Sequence, residues 1–222
     1  MSFDSLGIKF NNPKLLEQAF THRSYLNETK ESLESNERLE FLGDSILSFV
    51  ITSYIYKLRP KDAEGDLTNL RSYIVKTKSL AEAAQNLGLG EMLKLSKGEE
   101  QGGGRQNIQL LANTYEALIG AVFMDAGMEA AKKLIDETLL PNFQKELQMG
   151  PPKDAKSNLQ EITQEKTKQS PQYKILETRG PDHAKQFVIG VFINGKEMGK
   201  GEGFSKQEAE EIAATQALEK LS

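Results

Sequence analysis

Gly150-Pro151-Pro152, about two-thirds of the way along the 222-residue chain, separates two segments with different hydrophobic periods. A glycine followed by two prolines withdraws backbone donors and helical dihedrals together, so Gln148-Met149-Gly150-Pro151-Pro152-Lys153 breaks any helix that reaches it. The expected organisation is a domain at 1–147, a linker at 148–153 and a second domain at 154–222. Upstream, the apolar pattern is helical throughout: helices are expected around Asn12 to His22, from Asn36 to about Leu58, from about Glu64 to Leu87, from Asn107 to about Ala126, and from Glu129 towards Leu140. Asn12 before Pro13 is a start signal of the usual kind. Downstream, a helix over Lys156 to Lys166 precedes a short strand over Tyr173 to Glu177. Phe187, Ile189, Val191 and Ile193 alternate along a second strand until Asn194-Gly195 turns the chain. A glycine-rich third strand, Glu197 to Glu202, leads to a helix striped by Ala209, Ala213, Ala214, Ala217, Leu218 and Leu221. The expected fold class is multidomain, an all-α domain followed by a small α+β domain of order αβββα.

Composition removes several chemistries. Cysteine is absent, which excludes disulfides, thiolate zinc sites and cysteine nucleophiles, and the two histidines are His22 and His183. A metal here is held by oxygen, and carboxylate-dominated sites suit magnesium or manganese. No window approaches the ~20 continuous apolar residues that cross a bilayer, and the amino terminus lacks a basic-then-apolar leader, so no membrane partner and a cytoplasmic location are expected. Net charge is −4, yet residues 151–222 carry as many Lys and Arg as Asp and Glu. The acidic excess lies in the first 150 residues, and phosphate binding must come from local patches.

That excess is concentrated at the start of the second helix. In Asn36-Glu37-Arg38-Leu39-Glu40-Phe41-Leu42-Gly43-Asp44-Ser45, positions 37, 40 and 44 fall within roughly 60° of one another at about 100° per residue. Leu39, Phe41, Leu42, Ile46, Leu47, Phe49 and Val50 supply apolar surface to bury the segment, and carboxylates packed so closely repel unless cations hold them. The plain alternative is an amphipathic helix whose acids face water. Further oxygen donors are Glu64 and Asp66 at the start of the third helix, and Asn113 with Glu116, three apart on one face of the fourth.

Glu37-Arg38-Leu39-Glu40-Phe41-Leu42-Gly43-Asp44-Ser45 resembles the signature of the ribonuclease III family. Glu64-Gly65-Asp66-Leu67 and Leu111-Ala112-Asn113-Thr114-Tyr115-Glu116-Ala117-Leu118-Ile119-Gly120 resemble two further blocks of that family, as do Thr21-His22-Arg23-Ser24 and Gly102-Gly103-Gly104-Arg105. The resemblance covers essentially the whole chain. It implies a magnesium-dependent endonuclease, with manganese able to substitute, that cuts double-stranded RNA of the rRNA and mRNA precursor type by two-metal-ion catalysis. The products would be 5′-phosphate and 3′-hydroxyl ends with short 3′ overhangs. It further implies that Glu40 and Glu116 bind the metal, that Asp44 positions metal and attacking water, and that Glu37 and Glu64 act from the far side of the site. Asn113 stands where the family usually has Asp; an amide oxygen still ligates magnesium but brings no charge. Arg105, after three glycines, suits a loop that meets a phosphate, though it and Arg23 are equally read as surface charges. His22 reads as a satisfied helix-end residue. Phe41 reads either as core or, by the resemblance, as the residue that enters a pocket of a second subunit, which implies a homodimer facing both strands of one duplex.

The second half resembles a double-stranded RNA-binding domain, which recognises the shape of A-form RNA through 2′-hydroxyls and phosphates. By that resemblance Gln160, Glu161 and Gln164 form one exposed helix face for 2′-hydroxyls, His183 lies in the loop after the first strand, and Ser205 and Lys206 meet phosphates at the start of the last helix. The family commonly carries adjacent lysines where this chain has Phe204, Lys206 and Gln207. Two other readings stand beside the enzyme: a catalytically impaired duplex-RNA binder associated with ribosomes, for which Asn113 speaks, and a DNA-binding regulator, which would need a basic recognition helix that the sequence lacks. DNA is not an expected partner.

Overall fold

The structure is a computed structural model that describes residues 9–151, 154–181 and 185–221. It divides into two units, Met1–Pro151 and Pro152–Ser222, each with its own apolar core. In the first, α1 (Pro13–Ala19) begins at Asn12, whose side chain accepts from the Lys14 amide. A 3₁₀ turn (Arg23–Asn27) follows, then α2 (Glu37–Leu58), α3 (Glu64–Ile74), α4 (Thr77–Asn86), α5 (Leu89–Met92), α6 (Lys97–Gln101), α7 (Ile108–Thr138) and α8 (Gln144–Met149).

The single helix expected from Glu64 to Leu87 is two. Lys76 takes extended dihedrals (φ −64°, ψ 149°), and the Ser79 hydroxyl donates to the Tyr73 carbonyl across the joint. The bend lets Leu70 and Ile74 on one helix and Leu80, Ala83 and Ala84 on the next reach the same core. The fourth and fifth expected helices are the two limbs of α7. Asn107 caps the first limb by accepting from the Gln109 and Leu110 amides, and Gly127, at φ 80°, reverses the chain. Tyr115 and Thr138 would lie about 34 Å apart on a straight helix; their hydroxyls are 2.7 Å apart, deep in the core. α8 runs two residues into the segment expected as linker, and Gly150, at φ 86°, ends it.

α2 and α7 form the centre of this unit, with Leu47, Ile51, Leu118 and Ile119 buried between their neighbours. Phe41 and Phe49, expected to help bury α2, are instead 78% and 61% exposed, because the packed face of α2 is the one carrying Leu39, Gly43, Ile46, Leu47 and Val50. Among the described residues α2 is also the one helix long and apolar enough by composition to cross a membrane, though polar residues interrupt its apolar run. Its packed side lies on α7 and its first turn carries Glu37 and Glu40.

The second unit runs α9 (Ala155–Thr167), β1 (Gln172–Arg179), β2 (Gln186–Ile193), β3 (Lys196–Gly203) and α10 (Lys206–Leu221), the expected αβββα order. The sheet is antiparallel in the order β1-β2-β3, and Asn194 (φ 52°) and Gly195 (φ 77°) make the tight hairpin that Asn-Gly favours. The glycines of β3 have a packing reason. A β-carbon on Gly199 or Gly201 would sit 2.2 Å from the Ala213 carbonyl or 2.1 Å from that of Ala209, so strand and helix approach backbone to backbone.

Candidate active site

Two glycines decide where the acids of the first unit meet. A β-carbon on Gly43 would fall 1.8 Å from the Glu116 carbonyl oxygen, and one on Gly120 2.2 Å from that of Leu39. Glycine in a helix interior costs about 1 kcal/mol relative to alanine, so a pair facing each other across a helix crossing marks a contact that admits no side chain. This close crossing turns Glu40 and Asp44 of α2 and Asn113 and Glu116 of α7 into the walls of one cavity of about 600 Å³, together with His22, Arg23, Glu37, Phe41 and Gln109.

The electrostatics of that cavity are those of crowded anions. Burial, and then the charges of Asp44 and Glu40, push the half-buried Glu116 carboxyl up to about 7. Burial first, and then Glu37, also raises Glu40, while a hydrogen bond from Asn113 opposes the rise. Asn113 Oδ1 accepts from Gln109 Nε2 at 2.7 Å. The amide oxygen expected to face a metal is therefore taken up by Gln109, and the amide nitrogen is the side turned to Glu40. Glu37 is held at the rim, accepting from Arg23 at 3.3 Å and from the Ser35 hydroxyl at 3.0 Å. Among the described residues no three acidic or imidazole side chains already converge on one ligand point. The donors are nevertheless all oxygen, and their mutual repulsion is what a hard divalent cation relieves.

Two expected members do not join them. Glu64 is exposed on the first turn of α3, accepts from the Thr68 hydroxyl, and does not line the cavity. Arg105 is not a free loop cation. Its Nη1 donates to the carbonyls of Gly90, Glu91 and Leu93 at 2.9–3.1 Å and its Nε to Glu100 at 2.7 Å, so the guanidinium ties down the turn from α5 to α6. Three preceding glycines signalled flexibility, but Gly104 is buried against Glu99 and the Leu95 side chain, which anchors the end of the loop. His22 caps the 3₁₀ turn, as a helix-end residue should, and also lines the cavity. Gln109 and the Gly43–Gly120 pair were legible only as helical residues; glycines inside FLGDS and ALIGA were the available signal.

In the second unit Gln160, Glu161 and Gln164 are exposed along α9, and Ser205 and Lys206 are exposed at the start of α10. Gln160 and Ser205 line one cleft with Ser157 and Gln207, and Asp154, Glu208 and Glu211 make that cleft partly acidic. The Ser205 hydroxyl accepts from the Glu208 amide, so one of the amide donors expected for phosphate is used as a cap. His183 lies outside the described residues.

Comparison with known proteins matches both halves. The family model described as Ribonuclease-III-like covers residues 12–143, and that described as Double-stranded RNA binding motif covers residues 155–221. The chain is 47% identical to Ribonuclease 3 of Geobacillus kaustophilus over 98% of its own length and 89% of that protein. To Ribonuclease 3 of Lactococcus lactis subsp. lactis it is 44% identical over 96% and 92%. Among solved structures, the nuclease domain of ribonuclease III from Campylobacter jejuni, described for flexibility in a region involved in dimer formation, aligns with a TM-score of 0.59 at 40% identity, over 64% of this chain and 95% of that one.

Proposed function

The chain belongs to the ribonuclease III family of double-stranded RNA endonucleases, and on that premise we propose that the cavity between α2 and α7 is its cleavage site, working with two divalent ions, magnesium by preference and manganese in its place. The observation that carries this reading is that Glu40, Asp44 and Glu116 line one cavity, with Glu116 pushed up to about 7 by burial and by the other two acids. Such a site is strained by its own charge and is built for cations.

Glu40, Asp44 and Glu116 would hold the metal. When bound, the ions would supply an activated water and neutralise charge at the leaving oxygen, giving 5′-phosphate and 3′-hydroxyl ends with short 3′ overhangs. The protein's own residues do the arranging. Gly43 and Gly120 set the separation of the two helices and hence of the acids. Gln109 fixes the Asn113 amide so that it donates to Glu40, opposes the rise of that carboxyl and aims it. Arg23 holds Glu37 at the rim, where the RNA backbone enters.

Phe41, exposed beside this cavity, also borders an apolar hollow of about 540 Å³ formed with Leu15, Leu39, Leu42 and Met124. An exposed aromatic next to an apolar hollow on the same surface is the self-complementary arrangement that a two-fold dimer uses. Two sites would then cut both strands of one duplex. The second domain, with its exposed glutamines and the α10 start, would hold the duplex by shape; cytoplasmic rRNA and mRNA precursors are the substrate class.

The test is cleavage of a long, perfectly paired RNA duplex with and without magnesium, beside a gel shift in calcium. Short duplex products that appear only with magnesium are expected. Binding without cutting, even in manganese, would leave an RNA-binding relative and overturn the assignment of the cavity.

A further inference from the structure

His22 is placed to do more than end a turn. Its Nδ1 accepts from the Ser24 amide and also meets the Ser24 hydroxyl. The Ser24 amide points to it at 3.3 Å, and the Ser24 hydroxyl lies 2.8 Å away. That hydroxyl oxygen itself accepts from the Ser96 amide at 3.0 Å, which leaves its hydrogen for the imidazole. A ring nitrogen that accepts from a backbone amide carries no proton, so the ring's hydrogen sits on Nε2. The main chain is fixed as tightly: His22 donates its amide to the Lys94 carbonyl at 3.1 Å, and the neighbouring Thr21 carbonyl accepts from Asn36 at 2.9 Å.

His22 lines the acid cavity, and its side-chain contacts are both at Nδ1, so Nε2 has no hydrogen-bond partner among the described residues. The other nitrogen donors at the cavity are engaged: Arg23 with Glu37, Gln109 with Asn113, Asn113 with Glu40, and Asn36 with the Ala19 carbonyl. Capping alone does not call for imidazole, since Ser, Asp and Asn serve that position best. A histidine there adds one thing, a neutral donor on the opposite side of the ring.

Resting on the reading of this cavity as the RNA cleavage site, we propose that His22 is a substrate-contacting residue whose Nε2–H donates to a phosphodiester oxygen of the RNA lying against Glu40, Asp44 and Glu116. A fixed N–H donor suits an anionic backbone in a cavity lined by four carboxylates, and it orients the phosphate without adding a charge that would compete with the cations.

Two substitutions separate this role from the cap. His22→Asn retains an oxygen where Nδ1 accepts, so the turn stays capped, but nothing reaches to the Nε2 position. His22→Gln carries an amide N–H out to the Nε2 position and loses the cap. Single-turnover cleavage of a short RNA duplex at saturating magnesium, with thermal melting of each full-length variant, is the experiment. His22→Asn is expected to melt like wild type and cleave about ten- to hundredfold more slowly, the effect of one hydrogen bond to a charged group; His22→Gln is expected to melt lower and, below its melting range, to cleave within about threefold of wild type. A His22→Asn protein that cleaves at the wild-type rate, or a His22→Gln protein slower than it, would overturn the role of His22. A wild-type chain that fails to cut in magnesium would remove the cleavage reading itself, which is a different failure.

Discussion

Gly43 lies directly against the Glu116 carbonyl: a β-carbon on Gly43 would stand 1.8 Å from that oxygen. The residue between Leu42 and Asp44 thus sets the distance between the acids of α2 and those of α7. Gly43→Ala must push the helices apart, and a loss of about 2–3 kcal/mol or more is expected from overpacking. Gly65→Ala is the contrast, since nothing lies within 4 Å of its added carbon and alanine favours the helix. Denaturant melts of the two variants should move in opposite directions, with magnesium-dependent cleavage lost only in Gly43→Ala.

Glu116 makes stability depend on pH in a direction opposite to that of a salt-bridged acid. Its carboxyl titrates at 4.5 in the unfolded chain and at about 7 in the folded one. The folded state therefore keeps a proton that the unfolded state has already released, and the stability this provides is complete below pH 4.5 and lost as pH rises through about 7. Without divalent ions the melting temperature should fall between pH 5 and pH 8. Glu116→Gln should flatten that fall, and magnesium should restore stability chiefly at the alkaline end, where the ligands are ionised.

Asn113→Asp trades one property for another. It removes the donor that offsets the rise of Glu40 and adds a fifth carboxylate to the four that line the cavity. The variant should melt lower than wild type in a chelator, bind magnesium roughly three- to tenfold more tightly because charge count tunes oxygen sites, and cleave faster at limiting magnesium. Titration calorimetry and melts in chelator check the two halves separately; equal metal affinity in the two proteins would mean that orientation by Gln109, not charge, sets binding.

Arg105 should behave as a structural residue. Four hydrogen bonds hold its guanidinium to Gly90, Glu91, Leu93 and Glu100. Arg105→Ala is expected to cost about 2 kcal/mol, discounted for partial exposure, and Arg105→Lys should not restore it because one ammonium cannot span the three carbonyls. Duplex affinity in calcium should be unchanged. A fall in RNA binding without a fall in stability would return Arg105 to the phosphate-contact role that its sequence context suggests.

Phe41 is the discriminating position for assembly. At 78% exposure its loss leaves the core of one chain intact, so Phe41→Ala should melt like wild type at the level of the single domain yet sediment as a monomer. If two sites address the two strands, the monomer should nick duplex RNA where wild type releases cut duplexes. An unchanged sedimentation coefficient would place the dimer contact elsewhere.

Much of this molecule was legible without coordinates. The αβββα order, the Asn194-Gly195 hairpin and the helical character of the first unit follow from local rules: apolar period, turn chemistry and capping each depend on residues a few positions apart. Glu37, Glu40 and Asp44 were legible for the same reason, since one helix places them on one face. What local rules missed was the break at Lys76, where the gain comes from bringing distant apolar residues into one core.

The sequence by itself therefore determined the two-part organisation, the type of nearly every long element, and the oxygen chemistry available to the site. Tertiary structure alone decided that α2 and α7 cross at Gly43 and Gly120, that Asn113 turns its oxygen to Gln109 and its nitrogen to Glu40, that Arg105 is spent on carbonyls while Glu64 stays outside the cavity, and that the capping His22 also lines the acid cavity. These are relations between residues far apart in the chain. Their energies come from close packing and from charges that share a buried space, and neither exists until the helices have met.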